Sequence, residues 1–153
     1  MDMLIWTAKL NRKKILLTLL IAGVCIAAAV CFSLRGNAGS DGVNPKGVRD
    51  ESDRVDYLGQ WGWQVSPEAT GVEELQLPDP FGPEYEQYLT LQSDQGFDLP
   101  KYSGKRIRRY TYDVLNYPTG EGGVVAHLLV YKNTVIGGEV MGSNFLHGLA
   151  VPT

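Results

Sequence analysis

The chain is 153 residues long and carries a formal charge of −3, with 14 Lys and Arg against 17 Asp and Glu. That length supports one domain of ordinary size. After Arg35 sixteen Asp and Glu face nine Lys and Arg, and so acidic a portion excludes a sequence-blind nucleic-acid binder, which needs surplus cations to neutralise phosphates.

The N-terminal part is different. Lys9, Arg12, Lys13 and Lys14 precede an uncharged run, ILLTLLIAGVCIAAAVCFSL, from Ile15 to Leu34. Twenty residues at about 1.5 Å each span roughly 30 Å, the thickness of a hydrocarbon core. Residues 15–34 are therefore expected to be a transmembrane helix whose partner is the lipid bilayer. The basic flank keeps residues 1–14 in the cytoplasm and places everything after Arg35 outside. A cleaved signal peptide is the alternative, with Gly36-Asn37-Ala38 as small residues near a cut, but its apolar region is usually shorter. A lipoprotein signal fits less well, since Val24 and Val30 precede the cysteines. A core helix of a soluble protein would show polar interruptions on one face. Cys25 and Cys31, the only cysteines, both lie in this run, so no disulfide braces the rest and each acts as a small apolar residue.

Residues 35–47 read as a flexible linker rich in Gly, Ser, Asn and Pro. An extracytoplasmic domain over residues 48–149 and a tail of 150–153 follow. A helix is expected from Asp50 to Trp61. Asp50 caps it, Glu51 and Asp53 favour its first turn, Val55, Leu58 and Trp61 share a face flanked by Tyr57, and Gly62 stops it. Trp63–Val65 and Val72–Leu77 read as short strands. A second helix is expected from Pro83 to Gln95, with Tyr85, Tyr88, Leu89 and Leu91 as its apolar stripe and Gly96 as its stop. Strands follow at Arg106–Asn116, Val124–Tyr131 and Val135–Val140. The middle one is apolar on both faces apart from His127, as in a central strand. Asn133 is expected to take the left-handed conformation of a tight hairpin, and Gly137-Gly138 marks a bulge or a close backbone approach. The fold class is α+β: two helices packed on an antiparallel sheet of about four to five strands.

Several stretches stand in order along the chain: Tyr57-Leu58 leading to Gly62-Trp63-Gln64-Val65, Gln95-Gly96-Phe97-Asp98-Leu99, Arg109-Tyr110-Thr111-Tyr112, Asn116-Tyr117-Pro118, Leu128-Leu129-Val130-Tyr131, Ile136-Gly137-Gly138-Glu139-Val140 and Leu146-His147-Gly148-Leu149. Together they resemble DUF4830, a bacterial family of unknown function. The resemblance implies a membrane-tethered protein of a Gram-positive bacterium and supplies no activity. The family often has a cysteine after the Gly-Gly strand. Met141-Gly142-Ser143 stands there in this chain, so no thiol chemistry is expected at that point.

His127 and His147, the only histidines, form a candidate polar site, with local hydrogen bonding as the plainer reading. They show no HxxxH or HxH spacing, so no metal and no cofactor is expected. The serines lack a nucleophile-elbow context and no enzyme is expected; a hydrolase would need a cleft joining one histidine to a carboxylate. Lys105-Arg106-Ile107-Arg108-Arg109 is the one basic cluster. Either it meets anionic head groups or wall-polymer phosphates, or it is a solvated strand start paired with carboxylates. Tyr110, Tyr112, Arg106, Arg108 and Arg109 form the candidate interaction surface. The functional expectation is a non-enzymatic interaction or sensing module of the cell envelope with an envelope protein partner. The alternative is a domain that binds wall glycan or an anionic polymer.

Overall fold

A computed structural model describes residues 42–152. The expected membrane span at 15–34 lies outside them, and among the described residues no helix is long and apolar enough to cross a membrane.

Helix α1, Glu51–Gln60, opens on a reciprocal capping box. Asp53 N donates to Asp50 Oδ1 at 3.0 Å, and the Asp53 carboxylate accepts from the Asp50 amide. It closes through Gly62 at φ 98°, where Gly62 N bonds Gly59 O and Trp63 N bonds Leu58 O. This pair of bonds is the Schellman closure that a left-handed glycine permits. Strand β1 spans Gly71–Gln76. A 3₁₀ turn at Pro83–Tyr85 leads into helix α2, Glu86–Ser93, so the expected single helix from Pro83 to Gln95 is divided and shorter. A second 3₁₀ turn at Leu99–Tyr102 precedes β2, Arg106–Asp113, followed by β3, Val125–Tyr131, β4, Thr134–Met141, and the two-residue β5, Leu146–His147.

The five strands form one antiparallel meander in the order β1-β2-β3-β4-β5. The α+β class with two helices and a five-stranded antiparallel sheet is as expected. Alternation along β2 and β3 sends successive side chains to opposite faces. Tyr57 and Leu58 of α1 share one core with Tyr110, Tyr112, Ala126, Leu128, Val130 and Val140. Tyr88 and Leu89 of α2 pack on the opposite face, against Leu77, Leu99, Ile107, Leu129 and Ile136. The sheet therefore lies between the two helices.

Four local expectations are corrected. Trp63–Val65 makes a single bridge, Val65 to Val114, rather than a strand. β2 stops at Asp113, and Leu115, which breaks its alternation, is 66% exposed. At the β3–β4 hairpin the left-handed residue is Lys132, φ 54°, and not Asn133. Last, Val43 packs on the core, Pro45 O accepts from Val135 N and Lys46 bridges Thr134, so residues 43–48 lie along the start of β4.

The glycine pair of β4 does what its position suggested. The pairing with β3 shifts between Leu129 and Val130, where β4 carries one residue more. A side chain on Gly138 would sit 3.0 Å from His127 O and 2.7 Å from Leu149 Cδ1.

Candidate functional site

β2 begins with a row of cations whose directions are set by the two-residue period of a strand. Arg106, Arg108 and Tyr110 point to the α1 face and Arg109 to the other. The register brings the hairpin residue Lys132 beside Arg106, since Arg108 pairs with Val130. On the other side of β2, Glu74 of β1 lies opposite Arg108. The chain entering α1 supplies Arg49, and one turn into the helix Arg54 reaches across to β2.

Together these residues line a groove of about 370 Å³, with Val48, Tyr110, Val130 and Asn133 among its walls. Five cations line it, Arg49, Arg54, Arg106, Arg108 and Lys132, against one carboxylate, Glu74. Arg106 pairs with Glu74 at 3.2 Å. Among the described residues no carboxylate comes within ion-pair distance of Arg49, Arg108 or Lys132. The solvated-strand reading thus accounts for part of the basic cluster. Arg109, on the far face, pairs with Glu73, and Arg106 is half satisfied. Arg108 and Lys132 are exposed, and the Lys132 ammonium lies 5.4 Å from the centre of the Tyr131 ring.

Arg54 is the deepest member, only 7% exposed. Its guanidinium lies 3.9 Å above the Tyr110 ring, its Nε donates to Tyr112 Oη at 2.8 Å, and its Nη2 donates to Glu51 at 3.0 Å. Tyr112 in turn donates to the other Glu51 oxygen at 2.5 Å. This closed triangle fixes a buried guanidinium in the floor, with its charge matched and its donors placed. Burial alone would raise the Glu51 carboxyl, but the hydrogen bonds from Tyr112 and Arg54 and the Arg54 charge outweigh it and hold the carboxyl below its usual range. Tyr112 therefore serves as an anchor rather than as exposed surface: it is 0% exposed.

Both histidines lie elsewhere. His127 Nδ1 meets Glu139 Oε1 at 3.1 Å on the α2 face. The other Glu139 oxygen accepts from Tyr88 at 2.5 Å and from Gln92 at 3.2 Å. Burial, reinforced by the Glu139 charge, pushes the Tyr88 phenol far above its ordinary range, so it stays a proton donor. This cluster ties α2 to the sheet. His147 Nδ1 donates to Gly148 O at 2.6 Å, its Nε2 faces Tyr117 Oη at 3.2 Å, and the ring stacks with Phe145 and Tyr117. Neither histidine lines the cationic groove or the second, apolar groove of about 460 Å³ walled by Phe81, Leu89, Phe97 and Pro100. His127 does meet a carboxylate, but in neither of these grooves.

Of the sequence candidates, the structure gathers Arg106, Arg108 and Tyr110 and separates Arg109, Tyr112, His127 and His147 from them. It adds Arg49, Arg54 and Lys132, which sequence reasoning missed. For Lys132 a signal existed: once β2 and β3 are paired as a hairpin, the residue opposite Arg106 follows by counting. Arg54 gave none, because its partner Tyr112 is 58 residues away.

The model of a family described as Domain of unknown function (DUF4830) matches residues 57–140. Arg106, Arg108, Tyr110 and Lys132 fall inside that segment, and Arg49 and Arg54 precede it. No curated protein matches the chain, and no solved structure does.

Proposed function

We propose that this chain, which belongs to the DUF4830 family, is a membrane-tethered binding module that takes an anionic ligand of the cell envelope in the groove beside β2. The observation that carries this reading is a groove with five cations and one carboxylate on a domain that is acidic overall. A local field opposite in sign to the rest of the surface concentrates and orients an anion there, and selects against ligands drawn only by bulk charge. The lining holds no histidine, serine or cysteine, which favours binding over turnover. The apolar run Ile15–Leu34 with its basic flank supports a retained anchor and a domain outside the membrane. The test is binding of dextran sulfate, with neutral dextran as control, to the full-length chain in phosphatidylcholine nanodiscs. Arg108→Gln with Lys132→Gly should weaken dextran sulfate binding at least tenfold; unchanged binding would overturn the groove assignment.

The apolar groove along α2 favours a second reading, an envelope protein partner. A photocrosslinker at Ser93 in cells should capture one dominant protein, and Leu89→Glu should abolish the product. Capture that survives Leu89→Glu would remove this groove from the account.

A further inference from the structure

The groove has a direction as well as a charge. Arg106 and Arg108 stand two residues apart on one face of β2, so their stems rise about 7 Å apart along the strand. Lys132 lies beside Arg106 across the β2–β3 pair, and Arg49 of the chain entering α1 also lines the groove. Val130, opposite Arg108, and Tyr110, next after Arg108 on the same face of β2, also line the groove. Charges at a regular spacing suit a ligand whose own charges repeat at that spacing.

We infer that the groove binds a phosphodiester polymer in extended form, successive phosphates meeting Arg106 and Arg108. This deepens the binding reading above and rests on it. Guanidinium groups offer two parallel N–H donors, which match the two non-bridging oxygens of a phosphodiester, and they are less strongly hydrated than ammonium groups. A three-carbon polyol between phosphates gives a repeat comparable to the two-residue rise of the strand. A polycarboxylate such as polyglutamate hangs its charges on long side chains whose freedom is lost on binding, so equal charge brings less affinity. Arg54 does not move to meet the ligand. Its triangle with Glu51 and Tyr112 is closed, so its charge is matched by Glu51 while its guanidinium packs on the Tyr110 ring at 3.9 Å.

The experiment uses the full-length chain in phosphatidylcholine nanodiscs and four probes: a synthetic glycerol-phosphate oligomer, an oligomer with a longer polyol spacer, polyglutamate of equal charge, and inorganic phosphate. The glycerol-phosphate oligomer should bind at least tenfold more tightly than either other polymer, and inorganic phosphate should compete only at far higher concentration. Lys132→Gly removes a cation at a left-handed residue where glycine is favoured, so the fold is kept while oligomer binding falls severalfold. Equal binding of polyglutamate or of the long-spacer oligomer would overturn the inference and leave an unselective anion site. Equal potency of inorganic phosphate would overturn the polymer and leave a single-anion site. Binding of none of the four would overturn both readings.

Discussion

Gln92 accepts from the Gly138 amide through Oε1 at 3.0 Å, and its Nε2 donates to Glu139 at 3.2 Å. A helix residue thereby supplies β4 with a hydrogen bond that a neighbouring strand would otherwise give. Gln95 extends the arrangement, with Nε2 on Gly138 O at 3.0 Å and Oε1 on Leu149 N at 2.6 Å. Two side-chain amides thus substitute for a strand where β4 has outrun β5.

Gln92 is 0% exposed, so its loss leaves polar groups buried without partners. Gln92→Leu should destabilise the domain by about 2–4 kcal/mol, because each orphaned buried group costs about 1–3 kcal/mol. Hydrogen exchange offers a direct check: Gly138 amide protection should fall well beyond that of the β2–β3 ladder. A uniform loss across the sheet would contradict the local account.

Gly138→Ala should also destabilise, by about 1–3 kcal/mol, since the added methyl meets backbone at His127 O and the Leu149 side chain. Gly122→Ala, where nothing lies within 4 Å, is the control and should change the unfolding midpoint little.

The main strands were legible because their signals are local. Alternation along Arg106–Asp113 and an apolar run on both faces of Val125–Tyr131 follow from a half-buried strand and a central one. Both glycine stops, Gly62 and Gly96, hold with φ of 98° and 85°. What stayed hidden was polar and long-range. The most buried residue of α2 is Gln92, not a member of the expected stripe of Tyr85, Tyr88, Leu89 and Leu91, since its partners come from a strand 46 residues on. Arg54 is buried only because Glu51 and Tyr112 converge on it. The groove was half visible: its β2 cations formed a cluster in the sequence, but the face that separates Arg109 from Arg108 emerges only from the register.

Acid should weaken the Arg54 triangle. The folded Glu51 carboxyl lies below its usual value of 4.5, so the stability it adds is full above that value and is lost as pH falls through the folded pKa. Urea midpoints of wild type and Glu51→Gln, followed from pH 7 downward, should converge in acid. Parallel profiles would mean that the Glu51 carboxyl gains nothing on folding.

Alkali acts through the buried tyrosines. Burial pushes the Tyr57 phenol from 10.0 up to about 12 and raises those of Tyr88 and Tyr112 as well, so the unfolded chain ionises first and stability drops as pH rises above 10.0. Tyr57→Phe should lessen the decline up to about pH 12, and an unchanged decline would assign it to Tyr88 and Tyr112.

Topology has its own test. Ser143 is exposed, so with Cys25 and Cys31 replaced by Ala, Ser143→Cys should react in intact cells with a maleimide that cannot cross membranes, and Asp2→Cys should react only after lysis. The reverse pattern would place the domain in the cytoplasm.

The groove's role is tested most directly by the salt dependence of glycerol-phosphate oligomer binding to the full-length chain. Log affinity should fall with log salt, and Arg108→Gln with Lys132→Gly should make that fall shallower, because cation–phosphate contacts are lost. A slope that stays the same in the double variant would show that the anion binds elsewhere.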